Sequence, residues 1–217
     1  MPSVLVVGAS RGIGLELARQ YAHIGWDVHA TTRDHAAPGE LGDLLSSERL
    51  YELDVRNAEH IRNLAGAFAD FSLDVLIHNA GVHDRHHSRD EVMEINARAP
   101  FEVVQPLLPA LGRARTPKLI LMTSQLGARY GRTGSLGAYG DSKAALNDRF
   151  RELETGWSKD GITAIVLHPG WVKTDMGGSS APLSVEESVR GIVSLIADLG
   201  PSHHGGFWTW DGHVHPW

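Results

Sequence analysis

A tyrosine and a lysine stand four positions apart in the segment Tyr139-Gly140-Asp141-Ser142-Lys143. The segment opens a helical pattern, and side chains four positions apart lie on the same face of a helix. The pKa of a phenol, about 10, is too high for efficient proton transfer near neutral pH. A nearby ammonium group and a cationic cofactor ring would stabilise the phenolate and lower this pKa. The pair therefore indicates proton transfer at a carbonyl or alcohol oxygen, although the same two residues are common on solvated helix faces.

A glycine-rich loop, Gly8-Ala9-Ser10-Arg11-Gly12-Ile13-Gly14, follows the first apolar run. Glycines permit a tight turn and let a pyrophosphate approach the backbone N–H groups at a helix N-terminus, where the helix dipole favours an anion. The spacing is G-x-x-x-G-x-G rather than the commoner G-x-G-x-x-G. The apolar run before it and the helical pattern after it favour a dinucleotide-binding loop over a plain strand-to-helix turn.

Short apolar runs alternate with longer amphipathic segments along the whole chain. The pattern predicts strands at residues 4–7, 27–31, 49–53, 75–78, 118–122, 163–167 and, more weakly, 207–210. It predicts helices at residues 12–24, 58–69, 91–111, 138–159 and 184–199. Several strands are almost wholly apolar, as in a parallel sheet covered by helices on both faces. The predicted fold class is therefore α/β, a single-domain Rossmann-type doubly wound parallel sheet over residues 1–217, with ligands bound beyond the carboxyl ends of the strands.

The composition excludes several classes of function. A net charge of −6 argues against a nucleic-acid partner, and no apolar run is long enough for a membrane span. The absence of cysteine excludes disulfides, Cys-ligated zinc and thiolate catalysis. The thirteen histidines lack the spacing of a metal site, so they are interpreted as surface residues and no metal is expected. The chain begins directly with a predicted strand, which leaves no room for a signal peptide, so a cytoplasmic protein is expected.

More polar and glycine residues recur where the later strands end. They are Asp54-Val55, Asn79-Ala80-Gly81, Asn96, Thr123-Ser124, Pro169-Gly170 and Thr174. Together with the glycine loop and the Tyr–Lys pair, and in this order, they resemble the short-chain dehydrogenase/reductase family over essentially the whole chain. The resemblance is to its shorter, single-domain branch. Residues 168–178 and 210–217 are most similar to the C-factor-type and sniffer-type carbonyl reductases of that family.

The resemblance implies a role for each of these residues. Tyr139 would be the catalytic acid, and Ser124 would hydrogen-bond the substrate oxygen. Lys143 would hold the nicotinamide ribose, and Asn96 would anchor a water that leads protons to Lys143. The implied cofactor-binding residues are Gly8, Ser10, Arg11, Gly12, Ile13, Gly14, Arg33, Asp54, Val55, Asn79, Ala80, Gly81, Tyr139, Lys143, Pro169, Gly170, Val172 and Thr174.

The chain departs from the family pattern at three points. Val7 stands where many members have Thr, which removes a side-chain hydrogen bond from the glycine loop. His78 replaces a frequent Asn before Asn79. Ser124 lies fifteen residues before Tyr139, slightly further than usual, so that Ser135 is nearer in sequence. Ser124 is preferred because it directly follows a predicted strand.

The end of the second strand predicts the choice of cofactor. NAD-binding sites place an acidic residue there to accept hydrogen bonds from the ribose hydroxyls. By alignment with the family this position is Thr32, followed by Arg33, which can bind a 2′-phosphate together with Arg11. NADP(H) is therefore the preferred cofactor. NAD(H) stays possible if a shift of one or two residues brings Asp34 to the ribose.

The predicted activity is reduction of a small or medium carbonyl compound, or oxidation of the alcohol, and two rival classes remain open. A cofactor-binding regulatory or signalling protein shares the fold, but it has no need of Ser124, Tyr139 and Lys143 together. A nucleotide-sugar epimerase or dehydratase also uses a Tyr–Lys pair, but it usually has a larger C-terminal substrate domain than the 74 residues that follow Lys143 here.

The substrate-binding residues and the assembly are less specified by the sequence. A mostly apolar pocket is expected, with Arg132 and its loop at the rim and with walls from Leu126, Tyr130, Leu136, Trp171, Met176 and Trp217. The predicted helix 91–111 is apolar enough for a homodimer interface. Charges along residues 148–154 could weaken such an interface. A homodimer is favoured, and a monomer remains open.

Overall fold

Seven parallel strands form a single sheet. The protein is described by a computed structural model that covers residues 1–130 and 134–217, so Arg132 lies outside the described residues. The strands are β1 Ser3–Val7, β2 Asp27–Thr32, β3 Leu50–Glu52, β4 Val75–His78, β5 Lys118–Met122, β6 Thr163–His168 and β7 Phe207–Thr209. Their order in the sheet is β3-β2-β1-β4-β5-β6-β7, and each neighbouring pair is parallel.

The chain reverses its direction of winding between β1 and β4. β2 and β3 add to one side of β1, whereas β4 pairs with the other side of β1, with Val7 opposite His78. The connections on the two sides of this point therefore diverge and leave a crevice beyond the carboxyl ends of the strands. The glycine loop, which follows β1, and Asn79, which follows β4, both lie at this crevice.

Helices cover both faces of the sheet. They are α1 Gly12–His23, α2 Glu40–Leu44, α3 Ala58–Ala67, α4 Arg89–Met93, α5 Ala99–Val104, α6 Leu108–Gly112, α7 Gly137–Lys159 and α8 Val185–Asp198. Alternate strand residues point to opposite faces, so β1 contributes Leu5 and Val7 to the core beneath α3, α5 and α7, and Val4 and Val6 to the core beneath α1 and α8. The doubly wound parallel sheet predicted from the sequence is confirmed.

The predicted helix 91–111 differs from the observed structure. It is divided into α4, a π-helical turn at Glu94–Arg98, α5, a 3-10 turn at Gln105–Leu107 and α6. Pro106 and Pro109 lack the N–H group that continuous α-helical bonding requires, which accounts for the tighter turn before α6. Several of the apolar residues expected at a dimer interface, Val103, Val104 and Leu107, are buried in the protein's own core.

Two further findings bear on the sequence interpretation. The short helix α2 is not predicted, because its five residues are too few for a periodic pattern. Within the described part of the chain, no helix has both the length and the apolar character needed to cross a membrane.

Candidate active site

The glycine loop makes a close turn between β1 and α1. Gly8 and Gly12 have positive φ angles, of +82° and +56°. A Cβ atom on Gly8 would lie 2.7 Å from the Cα atom of Ala80, so only glycine allows the loop to pass the end of β4. The side-chain amide of Asn79 donates to the carbonyl oxygen of Gly8 at 2.8 Å. The loop is thus held against β4 with the N-terminus of α1 facing the crevice.

A neighbouring strand compensates for the absence of Thr at position 7. The backbone N–H of Gly8 donates to the hydroxyl oxygen of Thr31, in β2, at 2.9 Å. Val7 is fully buried in the core instead. The hydrogen bond that the sequence departure seemed to remove from the loop is therefore supplied from β2, through the register of the two strands.

A cavity of about 460 Å³ runs from the glycine loop across the ends of β1, β4 and β5 to α7. It brings together all but three of the residues predicted to bind the cofactor. Of the three, Gly14 lies against the carbonyl oxygen of Gly8, Gly170 lies beneath Trp210, and Val172 is buried and paired with Leu183. The lining residues with the predicted roles are Gly8, Ser10, Arg11, Gly12, Ile13, Arg33, Asp54, Val55, Asn79, Ala80, Gly81, Tyr139, Lys143, Pro169 and Thr174.

One end of the cavity carries three arginines. Arg56, which was not predicted, donates to both carboxylate oxygens of Asp54, at 3.1 and 2.9 Å, and this hydrogen bonding lowers the pKa of Asp54. Arg11 forms an exposed ion pair of 2.8 Å with Asp175. Arg33 lines the cavity, and within residues 1–130 and 134–217 it has no hydrogen bond or ion pair. It is therefore available to an anion without first leaving a partner.

Asp34 is engaged elsewhere. Its carboxylate oxygen Oδ1 accepts from the backbone N–H groups of Ala36 and Ala37, at 3.1 and 3.0 Å. Asp34 does not line the cavity, whereas Thr32 does. The carboxylate that does line the cavity near Arg33, that of Asp54, is paired with Arg56.

Tyr139 and Lys143 lie on one face of α7, at the other end of the cavity, as the spacing predicted. The ammonium group of Lys143 is almost fully buried and donates to the carbonyl oxygen of Met122, at the end of β5, at 2.9 Å. Ser124 follows β5 and is hydrogen-bonded to the Tyr139 side chain. Ser135, the alternative, is exposed and donates to Asp141 at 2.7 Å, so the geometry favours Ser124.

Burial acts on the protonation of both groups. It raises the pKa of Tyr139 to about 12, and the hydrogen bond with Ser124 acts in the opposite direction. It lowers the pKa of Lys143 to about 8. Removal of the phenol from water thus dominates its pKa in the protein without cofactor. The lowering predicted from the sequence requires a cationic cofactor ring together with the ammonium, and it stays a prediction.

Asn96 lies in the π-helical turn and is fully buried. Its Oδ1 atom accepts from the N–H of Val82 and its amide donates to the carbonyl oxygen of Val82, both at 2.8 Å. The amide also donates to the hydroxyl of Ser142, in α7, at 3.0 Å. Both amide hydrogens are thus used within the protein, so a water held by this side chain would have to donate to Oδ1.

The segment after β6 covers the cavity. Lys173, Thr174, Asp175 and Met176 line it, and the Thr174 hydroxyl accepts from the N–H of Gly177 at 3.0 Å. Met176 is therefore a pocket wall as predicted. The other predicted wall residues do not line this cavity: Leu126, Tyr130, Leu136 and Trp171 are exposed, and Trp217 packs against Phe150 and Phe207.

One side chain at the site was missed by the sequence interpretation. His83, assigned to an exposed loop, stacks on the ring of Tyr139, with ring centroids 5.0 Å apart and planes inclined by 12°. His83 lies four residues beyond Asn79, which directly follows β4, and this position is the signal that could have indicated a place near the site.

The cavity fits a nicotinamide dinucleotide. A helix N-terminus and glycines without side chains can accommodate a pyrophosphate at one end. At the other end the buried hydroxyl of Thr123 lines the cavity with no hydrogen-bond partner among the described residues, which suits a polar ligand group. A protonated phenol, an amine and a serine hydroxyl next to this end can bind and protonate a carbonyl oxygen.

Comparisons with known proteins agree with this geometry. The sequence model of the short chain dehydrogenase family matches residues 2–182. C-signal from Myxococcus xanthus is 38% identical over 154 residues, which are 67% of this chain and 93% of that protein. The carbonyl reductase Sniffer of D. melanogaster superposes with a TM-score of 0.89 at 32% identity, covering 100% of both chains. An NADPH-bound carbonyl reductase from chicken fatty liver superposes with a TM-score of 0.88 at 32% identity, covering 100% of this chain and 99% of that one.

Proposed function

Because the chain belongs to the short-chain dehydrogenase family, as the match over residues 2–182 establishes, we propose that it is an NADP(H)-dependent carbonyl reductase. It reduces a small or medium carbonyl compound and, in reverse, oxidises the alcohol. The observation that carries this proposal is the assembly of Ser124, Tyr139 and Lys143 at one end of a cavity whose other end presents Arg33. Similarity to two carbonyl reductases, one of them described as NADPH-bound, supports it.

The protein's residues bind and orient the cofactor along the cavity. The glycine loop would hold the pyrophosphate, Arg33 the 2′-phosphate, and Lys143 the nicotinamide ribose. Asn79 keeps the glycine loop in place through its bond to Gly8. When bound, the nicotinamide supplies the hydride for reduction or accepts it in oxidation.

The source of the proton that the substrate oxygen receives follows from the protonation states of the cofactor-free protein. With its pKa raised to about 12, Tyr139 carries its proton at neutral pH and can donate it to the substrate oxygen. Ser124 would hydrogen-bond the same oxygen while negative charge develops there. The ammonium of Lys143 would then stabilise the phenolate left on Tyr139.

A panel of apolar and aromatic aldehydes, ketones and quinones, assayed with both reduced cofactors, tests the activity. We expect carbonyl-dependent oxidation of NADPH, measured by the loss of its absorbance. Cofactor binding without oxidation by any compound would contradict the proposal and favour a regulatory protein. Conversion of a nucleotide sugar without net cofactor oxidation would favour an epimerase or dehydratase.

The cofactor preference depends on Arg33. The wild-type protein should have a higher kcat/KM for NADPH than for NADH. Arg33→Ala should lower kcat/KM for NADPH by about ten-fold or more, since a charged hydrogen-bonded contact contributes about 1.5–3 kcal/mol. It should leave kcat/KM for NADH nearly unchanged. Steady-state kinetics at constant, moderate ionic strength measure both values.

Arg62→Ala is a matched control, because Arg62 is an exposed arginine of α3 outside the cavity. We expect kcat/KM for NADPH and kcat/KM for NADH to be unchanged in this variant. A wild-type preference for NADH would overturn the assignment to NADP(H).

The rate of carbonyl reduction should depend on the charge of Lys143. Burial lowers the pKa of Lys143 to about 8, so this side chain is charged below that pH and neutral above it. At a fixed concentration of the carbonyl substrate, kcat/KM for NADPH, which reports the cofactor-free protein, should therefore fall as the pH rises through about 8, by up to about ten-fold per pH unit. A profile that stays level well beyond this pH would show that the charge of Lys143 does not limit reduction.

A further inference from the structure

Tyr139 lies in the first turn of α7. The hydroxyl of Ser135 accepts from the N–H of Gly137 at 3.3 Å, but Leu136, the residue before the helix, provides no side-chain hydrogen bond and the first turn contains no acidic residue. The first N–H groups of a helix have no partners within the helix, and helix ends fray unless other groups satisfy them. The ring of Tyr139 therefore needs support from outside α7 to keep a defined orientation.

Asp84 provides support from the loop after β4. Its Oδ2 atom accepts from the backbone N–H of Tyr139 at 3.5 Å, and a Cβ atom on Gly137 would lie 3.0 Å from the same oxygen. A carboxylate thus lies over the N-terminus of α7, where the helix dipole favours negative charge. The other oxygen, Oδ1, is 2.6 Å from Nδ1 of His83, a contact without the geometry of a hydrogen bond. The carboxylate therefore connects the helix start to the loop that carries the imidazole.

His83 covers the ring of Tyr139 with a nearly parallel ring, and its own side chain is 32% exposed. The Nζ atom of Lys143 lies 5.9 Å from the centroid of the same tyrosine ring. The imidazole is thus a neighbour of the phenol in addition to Lys143 and Ser124.

The loop that carries His83 is itself fixed to α7. Val82 is bonded through both its N–H and its carbonyl oxygen to the side chain of Asn96. Asn96 also bonds Ser142, whose hydroxyl donates to the carbonyl oxygen of Tyr139 at 2.7 Å. The loop and the first turn of α7 are therefore connected on two sides, through Asn96 and through Asp84.

From these contacts we infer that His83, carried by a loop that Asn96 and Asp84 fix to α7, is a positioning residue that fixes the ring of Tyr139 for proton transfer. The inference rests on the proposed function, in which Tyr139 is the acid. Stacking limits the tilt of the phenol ring, and a small misplacement of a reacting group can lower a rate by up to about a hundred-fold. Stacking requires a flat ring at position 83 and does not require the imidazole nitrogens.

Variants of His83 separate stacking from other effects. His83→Ala should lower kcat for carbonyl reduction by about ten- to a hundred-fold, with KM and Kd for NADPH nearly unchanged. His83→Phe, which keeps a flat ring, should recover most of the lost kcat. His86→Ala, an exposed histidine of the same loop without a described ring contact, is the control and should behave like the wild type. A kcat of His83→Ala within two-fold of the wild type, or equal losses for Ala and Phe, would overturn the inference.

A second measurement does not depend on the reaction. In the cofactor-free protein with ¹³C-labelled tyrosine, the ring resonances of Tyr139 can be assigned by their absence in Tyr139→Phe. Because stacked rings shift each other's resonances, His83→Ala should move these signals and His83→Phe should largely restore them. Unchanged resonances in His83→Ala would overturn the stacking itself, whereas a shift without any carbonyl reduction would contradict only the proposed function.

Discussion

Replacing Tyr139 by phenylalanine should lower kcat for carbonyl reduction by about 10²- to 10⁴-fold, the range that a positioned general acid contributes. The substitution removes one hydroxyl group and keeps the ring that stacks on His83. Cofactor binding should therefore change little, and the Kd for NADPH, measured by fluorescence titration, should stay within about three-fold of the wild type. A loss in kcat without a loss in affinity is the signature of a group that acts in the transition state.

Tyr51→Phe is the matched control, since it removes a hydroxyl group from a residue of β3 that does not line the cavity. Its kcat should equal that of the wild type. Lys143→Ala should impair both kcat and NADPH affinity, because this side chain has a role in each. If Tyr139→Phe kept more than a tenth of the wild-type kcat on a good substrate, another group would have to be the acid.

Acidification from pH 7 to pH 5 should decrease the free energy of unfolding by about 4 kcal/mol, a large part of the stability of an ordinary domain. Burial, with a contribution from Lys143, lowers the pKa of His78 from 6.5 to about 3. Burial, with a contribution from His215, lowers the pKa of His168 from 6.5 to about 4. In the unfolded chain both imidazoles take up protons as the pH falls below 6.5, whereas in the folded chain they stay neutral to a much lower pH. The stabilisation is therefore complete above pH 6.5 and is lost as the pH falls, by about 2 kcal/mol per histidine at pH 5.

Urea unfolding of the cofactor-free protein at several pH values between 7 and 5 measures this loss. In this range most carboxylates remain ionised in both states, so histidines dominate the change. His78→Asn and His168→Asn should each remove about 2 kcal/mol of this loss, whatever their effect on stability at pH 7. Burial also lowers the pKa of His29, so this residue adds to the loss that remains. His86→Asn, at an exposed position, should leave the pH dependence of the free energy of unfolding unchanged. A free energy of unfolding that is level from pH 7 to pH 5 would contradict the burial of both imidazoles in neutral form.

The sheet could be predicted from the sequence because β1, β4, β5 and β6 are short, mostly apolar runs bounded by glycines or polar residues. The predicted bounds of β4 and β5 are the observed ones. The predicted helix 91–111 illustrates the limit of periodicity. The spacing of its apolar residues is compatible with one continuous helix. The observed segment is divided into three α-helices by prolines and by a π-helical turn, which the spacing of apolar residues does not indicate.

The site was predictable where one residue type permits one conformation or one chemistry. Gly8 at a positive φ angle and the Tyr139–Lys143 spacing are such cases. The hydroxyl of Thr31 binds the glycine loop in place of the Thr that many family members have at position 7. This replacement depends on the register of β1 and β2, which no local sequence pattern contains. The polar run after Gly81 has the composition of any solvated loop, so the stacking of His83 on Tyr139 becomes visible only when that loop is folded over α7.

The strand order also determines how the sheet can assemble as the chain folds. None of its pairs is a local hairpin: even the first, β1 with β2, joins Ser3 to Asp27, and β1 meets β4 only when residues 75–78 are available. Contacts between distant parts of a chain form slowly, so we expect folding to be slow for a protein of this size. From β4 onward, however, each new strand joins the outer edge left by the strand before it, up to β7. During synthesis on the ribosome the sheet can therefore grow in one direction after the return to β1, without reopening a pair already made.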